Sequence, residues 1–299
     1  METPDVKDEI TESKISGSDN IKICKSCGNA VSGKYCSVCG EKVFSESDLS
    51  FKKYIAHSID VLTHFDSKLL KSVKLLVTKP GELTLKYCTG KRISFAKPMQ
   101  LFLVINVIYF ITISFWGFNT FNSPLWVHLN ASQHSELAKQ MVSDKVTQKN
   151  ISVEEYAKIF NEKVHIYSKS LIIIMILLLA LFFSLLYFRQ KRYFTEHLVF
   201  ATHFFSWLLL FKIIFEPLEH LLFLLLSRTG LNISFADGEA FWGLQTAIFV
   251  FLYLSLAIKR FYDQSWLVNI LKSAVATYSL LYIVFIYRFI LFLIVFYMT

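Results

Sequence analysis

Pro98 to Phe118 runs for twenty-one residues without a charged side chain. A helix of about 20 apolar residues crosses the roughly 30 Å hydrocarbon core of a bilayer, and a run this long has few other uses. Comparable runs recur at 170–188, 197–215, 240–258 and 273–297, the third carrying Lys212 and the fifth Arg288. The expected fold is therefore an all-α, multi-pass transmembrane bundle of about five spans. With 54% hydrophobic residues and 29 Phe, the composition argues for a chain that packs in lipid. The net charge of +8 then reads as topology signal and headgroup attraction, not as a nucleic-acid footprint.

The chemistry most specific to a motif lies ahead of these runs. Cys24-Lys25-Ser26-Cys27 is followed, after eight residues, by Cys36-Ser37-Val38-Cys39, and each pair is followed by glycine, Gly28 and Gly40. Such a turn folds the backbone back so that two sulfurs converge, and glycine tolerates the positive φ it requires. Four thiolates satisfy Zn²⁺ tetrahedrally with no open position, so Cys24, Cys27, Cys36 and Cys39 are expected to hold a structural zinc. A module of some two dozen residues has little core, and structural zinc contributes roughly 10–16 kcal/mol in small peptides. The opening Met1-Glu2-Thr3-Pro4-Asp5 is acidic and polar, without a signal-peptide core. That places the thiols in a reducing cytosol, which favours zinc over disulfides. The expected order is a disordered tail at 1–20, the ribbon at 21–44, juxtamembrane amphipathic helices at 48–97 and a transmembrane domain at 98–299.

Within 48–77, Phe51, Ile55, Ile59 and Leu62, then Leu69, Leu70, Val73, Leu76 and Val77, recur at helical spacing beside Lys52, Lys53, Lys68, Lys71 and Lys74. A basic amphipathic helix can lie on an anionic leaflet, or it can pack against the bundle. Pro80-Gly81 ends it, and a second short helix is expected over 82–89, closed by Gly90. The polar stretch 119–169 is too long for a plain connection and reads as a small extracytoplasmic subdomain, with short helices at 135–141 and 153–164. Pro217 is expected to break or kink the third span, leaving Leu218–Leu226 as a re-entrant piece or a tilted extension. Lys and Arg cluster before the first span, at 189–192, and at 259–260 with Lys272. By the positive-inside rule the N-terminus and ribbon are expected on the cytosolic side and the C-terminus on the opposite side.

Beyond the cysteines, Lys79-Pro80-Gly81 to Gly90-Lys91-Arg92, the run Lys191 to Phe204, and Arg260-Phe261-Tyr262-Asp263-Gln264-Ser265-Trp266 form an ordered series. Over roughly residues 22–270 the chain resembles a bacterial family of zinc-ribbon, multi-pass membrane proteins, domain of unknown function 3667. The resemblance implies a zinc-ribbon inner-membrane protein and supplies no activity. Members often carry a second histidine two residues after the position of His203, where this chain has Phe205.

Two intramembrane polar groups are candidate sites. Glu196, His197 and His203 open the third span. Six residues on a helix turn by about 120° net and rise about 9 Å, so His197 and His203 cannot form a metal pair on one straight helix. They serve either a metal, haem or proton site completed by another helix, or an interhelical hydrogen bond beside an interfacial Glu–His pair. Lys212, Glu216, Glu219 and His220 surround Pro217; Lys212 and Glu216 are one turn apart and can pair, and Glu216 or Glu219 is expected to neutralise Arg288. No phosphate-binding Gly-rich loop, His-Glu-x-x-His or Gly-x-Ser-x-Gly pattern is present. The leading functional expectation is a non-enzymatic membrane scaffold or sensor whose ribbon binds a protein. Lys22, Lys25, Lys34 and Lys42 lack an aromatic stacking platform suited to nucleic acid. A solute transporter or channel and a membrane-embedded metal or haem enzyme are the alternatives.

Overall fold

The computed structural model describes residues 22–43, 67–116, 121–227 and 239–299, with the side chains of Glu216, Glu219 and His220 among those outside the description. The expected tail and the part of the amphipathic region before Ser67 fall outside it. The chain divides into two units, Met1–Val43 and Phe44–Thr299.

In the first unit, β1 (Lys22–Ile23) pairs antiparallel with β2 (Ala30–Val31), and an isolated bridge joins Tyr35 to Lys42. Two equivalent turns project from this frame. The Gly28 N–H donates to Cys24 and the Cys24 N–H to Asn29; twelve residues on, Gly40 donates to Cys36 and Cys36 to Glu41. Gly28 and Gly40 take φ of 80° and 72°, and no atom lies within 4 Å of where either Cβ would stand. The glycines are therefore required by backbone conformation, not by crowding.

The second unit is helical. Its elements are α1 (Ser67–Thr78), α2 (Glu82–Cys88), α3 (Pro98–Trp116), α4 (Leu125–Asn130), α5 (Ser135–Lys149), α6 (Val153–Leu186), α7 (Phe194–Ser227), α8 (Glu239–Tyr262) and α9 (Trp266–Met298), with a 3-10 turn at Phe188–Gln190. Five of these, α3 and α6 to α9, are long and apolar enough to cross a membrane.

Three boundaries differ from those expected. The helix foreseen at 153–164 and the span at 170–188 are one helix, α6. Ser152 caps it by accepting from the Glu155 N–H at 3.1 Å, and no Pro or Gly interrupts the chain before Leu186. At about 51 Å it outreaches the hydrocarbon, so its charged first half stands clear of lipid. The third span runs past its expected end at Phe215, through Pro217 to Ser227, so of the two readings of Leu218–Leu226 it is the extension that is found. Pro217 lacks an N–H for the Ile213 carbonyl, but one missing bond leaves the ladder on either side in place, and membrane helices tolerate such a break. The fifth span begins at Trp266, seven residues before the expected Ser273, because Trp266-Leu267-Val268 and Ile270-Leu271 continue its apolar pattern through Asn269 and Lys272.

Helices α3, α7, α6, α9 and α8 are neighbours in that order. The hub is α7: 72% of its eighteen-residue apolar window is buried, against 28–39% for the corresponding windows of the other four spans. Helices α7 and α8 meet through rings. Trp207 stacks on Tyr253 at 3.7 Å between centroids, Phe211 faces Phe249 at 5.2 Å, and Phe200 stacks on Phe261 at 5.5 Å. Large rings on both sides hold the two backbones apart, and α2 packs against both helices. At Gly81, before α2, a Cβ would stand 2.5 Å from the Ala257 carbonyl oxygen.

The polar region between α3 and α6 also docks on the bundle. Lys145 of α5 donates to the Phe296 carbonyl, Lys149 to that of Thr299, and Lys163 of α6 to that of Met298. Three cations thus gather at the C-terminal end of α9, where the helix dipole favours positive charge.

Candidate functional site

In the N-terminal unit the four sulfurs of Cys24, Cys27, Cys36 and Cys39 lie within 4.8 Å of one another. Cys24 Sγ is 3.6 Å from Cys39 Sγ, and Cys27 Sγ is 3.5 Å from Cys36 Sγ. A disulfide requires about 2.05 Å, so none is formed. Tetrahedral ligation at a metal–sulfur distance of about 2.3 Å puts neighbouring sulfurs roughly 3.8 Å apart, close to the separations found. The four residues fit a metal ion. Asn29 supplies donors to Cys27, its side-chain nitrogen standing 3.3 Å from the sulfur, and the Cys27 thiol is pushed down to about 6. Donors aimed at a thiolate are what a metal–sulfur centre needs around it. Ser26 donates to the buried carboxylate of Glu41, tying one turn to the other.

A second constellation lies at one end of the bundle, assembled by α2. Its Thr84 hydroxyl is 2.9 Å from His203 Nδ1 of α7, both residues being buried, and Tyr87 meets the same ring edge-on at 6.3 Å. The other ring nitrogen, Nε2, is buried without a hydrogen-bond partner. His197 faces elsewhere, its Nδ1 2.7 Å from the Tyr262 hydroxyl of α8. The two histidines are separated as their spacing requires, and each completes an interhelical hydrogen bond. Glu196 pairs with Arg192 at 2.8 Å and accepts the Tyr193 N–H at 3.0 Å, so it caps its own helix. Arg192 also donates to the Phe261 carbonyl, and Gln190 to that of Tyr262, each at 2.9 Å. The basic turns before α7 and after α8 therefore sit at one end of the bundle.

Arg260 and Lys86 both approach Glu82 of α2, at 3.6 and 3.2 Å, and Arg260 donates to the Pro80 carbonyl. Cys88 closes the helix; burial raises its thiol to about 12, the Glu196 charge adding to the effect, which removes it as a nucleophile.

A third group was invisible in the sequence. His128 of α4 is fully buried, its Nε2 3.1 Å from the Ser123 carbonyl and its Nδ1 3.0 Å from His134 Nε2. A carbonyl only accepts, so His128 carries its proton on Nε2, and His134 donates to Nδ1. Phe160 of α6 and Phe292 of α9 pack on the His128 ring. Burial, with His134 beside it, lowers His128 to about 4, and burial lowers His134 as well.

Lys212 lies half-buried on α7. Its expected pairing with Glu216, the roles of Glu219 and His220, and the neutralisation of Arg288 fall outside the described side chains. Among the described residues the four cysteines are the only group of three or more potential ligands placed to hold a metal. His203 belongs to no such group of three among them.

Residues 66–110 match the model of a family described as a protein of unknown function, DUF3667. The matched stretch holds α1, α2 and most of α3, and so includes Gly81, Thr84 and Cys88. No curated protein and no solved structure matches the chain.

Proposed function

We propose that this membrane protein is a scaffold or sensor whose N-terminal unit is a structural zinc ribbon that docks a protein partner. The observation carrying the proposal is the surface around the cysteines. Ile23, Tyr35 and Val38 are 69%, 63% and 68% exposed on a module of about twenty described residues. Four converged thiolates leave a tetrahedral ion no open position for substrate, so the metal holds the fold and the surface does the work. Apolar side chains kept in water on so small a frame suit the core of a protein interface, with Lys25 and Lys34 at its rim selecting an acidic border. The basic turns at Arg189–Arg192 and Lys259–Arg260 support a cytoplasmic ribbon and a periplasmic C-terminus in a bacterial inner membrane.

The test is site-specific photocrosslinking of the full chain in cells, with the crosslinker at Tyr35 and, as control, at Ser32. A discrete adduct from Tyr35, lost when Val38→Asp is added, is expected. No adduct, or adducts equal at both positions, contradicts a docking surface.

The pairing of His203 with Thr84 is structural in this account: it fixes α2 between α7 and α8.

A further inference from the structure

We infer that the outward face of α1 binds the headgroups of anionic phospholipids. The inference stands apart from the ribbon proposal and needs only the membrane-spanning bundle. Helix α1 turns one stripe inward: Leu69, Ser72 and Leu76 are buried. Two hydrogen bonds fix its height. The Ser72 hydroxyl accepts from the Ala96 N–H at 2.9 Å, two residues before α3 begins, and the Leu76 carbonyl accepts from the Tyr253 hydroxyl of α8 at 3.2 Å. The helix is thus held beside the entry to a membrane span, at the end of the bundle that carries Arg260 and Glu82.

The remaining circumference is divided. At about 100° per residue, Leu70 and Val77 lie roughly 100° from the buried stripe. They are 69% and 48% exposed. Lys74 and Lys71 follow roughly 40° and 100° further round from Leu70. Both are exposed, and Lys68 stands one turn before. An apolar edge directly beside a lysine edge is the arrangement of a helix lying in a bilayer interface: leucine and valine enter the acyl boundary, and the long lysine stems carry their ammonium groups up to phosphate. A soluble partner would not account for the position of that edge level with a span, and a neutral leaflet would offer Lys71 and Lys74 no counter-charge. The two readings of a basic amphipathic helix, on the leaflet or on the bundle, are here two faces of one helix.

The test uses the full chain, purified in detergent, delipidated, and titrated with phosphatidylglycerol or phosphatidylcholine, with bound lipids counted by native mass spectrometry. A lysine near an anionic surface is worth roughly fivefold in affinity, so K71Q/K74Q should weaken the tightest phosphatidylglycerol site on the order of 25-fold and leave phosphatidylcholine unchanged. High salt should produce a similar loss in the unaltered chain. Both lysines are exposed, so the variant keeps its fold, which the unchanged phosphatidylcholine count verifies. Undiminished phosphatidylglycerol binding in K71Q/K74Q overturns the inference. So does an equal loss of both lipids, which would mean that the lysines do not read headgroup charge.

Discussion

Replacing Gly81 by alanine should release α2 from the bundle. The backbone there has φ of 79°, a conformation that costs an L-residue about 1–2 kcal/mol. The new Cβ would also stand 2.5 Å from the Ala257 oxygen and 2.9 Å from its Cα, atoms of a helix backbone that cannot rotate aside. Overpacking of this kind adds about 1–3 kcal/mol, so the docked state should lose about 3 kcal/mol, on the order of a hundredfold in the docking equilibrium. Cys88 reports that equilibrium directly. It is 8% exposed at the end of α2, with its thiol raised to about 12 by burial, so it reacts only when the helix lifts. Alkylation by N-ethylmaleimide at pH 7.5, resolved by peptide mass spectrometry, should proceed on the order of a hundred times faster at Cys88 in Gly81→Ala. Gly28→Ala is the contrast: φ is 80° but no atom lies within 4 Å, and Cys88 should be unaffected. A Cys88 rate in Gly81→Ala within twofold of the unaltered chain would refute the claim that close approach at Ala257 seats α2.

Other consequences concern the buried histidines. Thr84→Val keeps shape but strips His203 Nδ1 of its partner, and should cost about 1–3 kcal/mol in thermal stability. Adding His203→Phe should recover part of that loss, and a second loss of equal size would instead give His203 a role of its own. For His128, the folded pKa of about 4 lies below the ordinary 6.5. The unfolded chain therefore binds the proton first. The contribution of the neutral pair is fully present above pH 6.5 and is lost as pH falls toward 4, by about 3 kcal/mol in all. His128→Phe should flatten that part of the stability–pH curve, and an unchanged slope between pH 6.5 and 4 would count against the buried neutral pair.

What the sequence made legible was set by local chemistry. Apolar length marked five spans, because hydrocarbon admits little else, and the two Cys-x-x-Cys turns with their glycines marked the sulfur cluster. The boundaries were harder. Pro217 left a break and a tilted extension both open, because its missing N–H removes one bond and spacing does not say whether the helix survives that loss; α7 runs on. Asn269 and Lys272 look like an end to the fifth span, yet the Asn269 amide donates to the Ser255 carbonyl at 2.9 Å and the Lys272 ammonium to the Leu186 carbonyl at 3.2 Å, so polar residues enter helix α9 with acceptors waiting. Contacts across many residues left no trace in spacing. Thr84 and His203 are 119 positions apart, and only packing joins them. His128 and His134, though six apart, meet because a turn reverses the chain between α4 and α5. The six-residue spacing of His197 and His203 did forbid a shared metal, and the structure sends them to different helices.

The central claim is that Cys24, Cys27, Cys36 and Cys39 form a closed metal centre that holds the ribbon. Metal analysis of the purified full chain tests it most directly. About one zinc per chain is expected, falling to near zero in Cys36→Ser as the N-terminal unit becomes sensitive to protease. A metal-free chain with a protease-resistant ribbon, or full zinc content retained in Cys36→Ser, would contradict it.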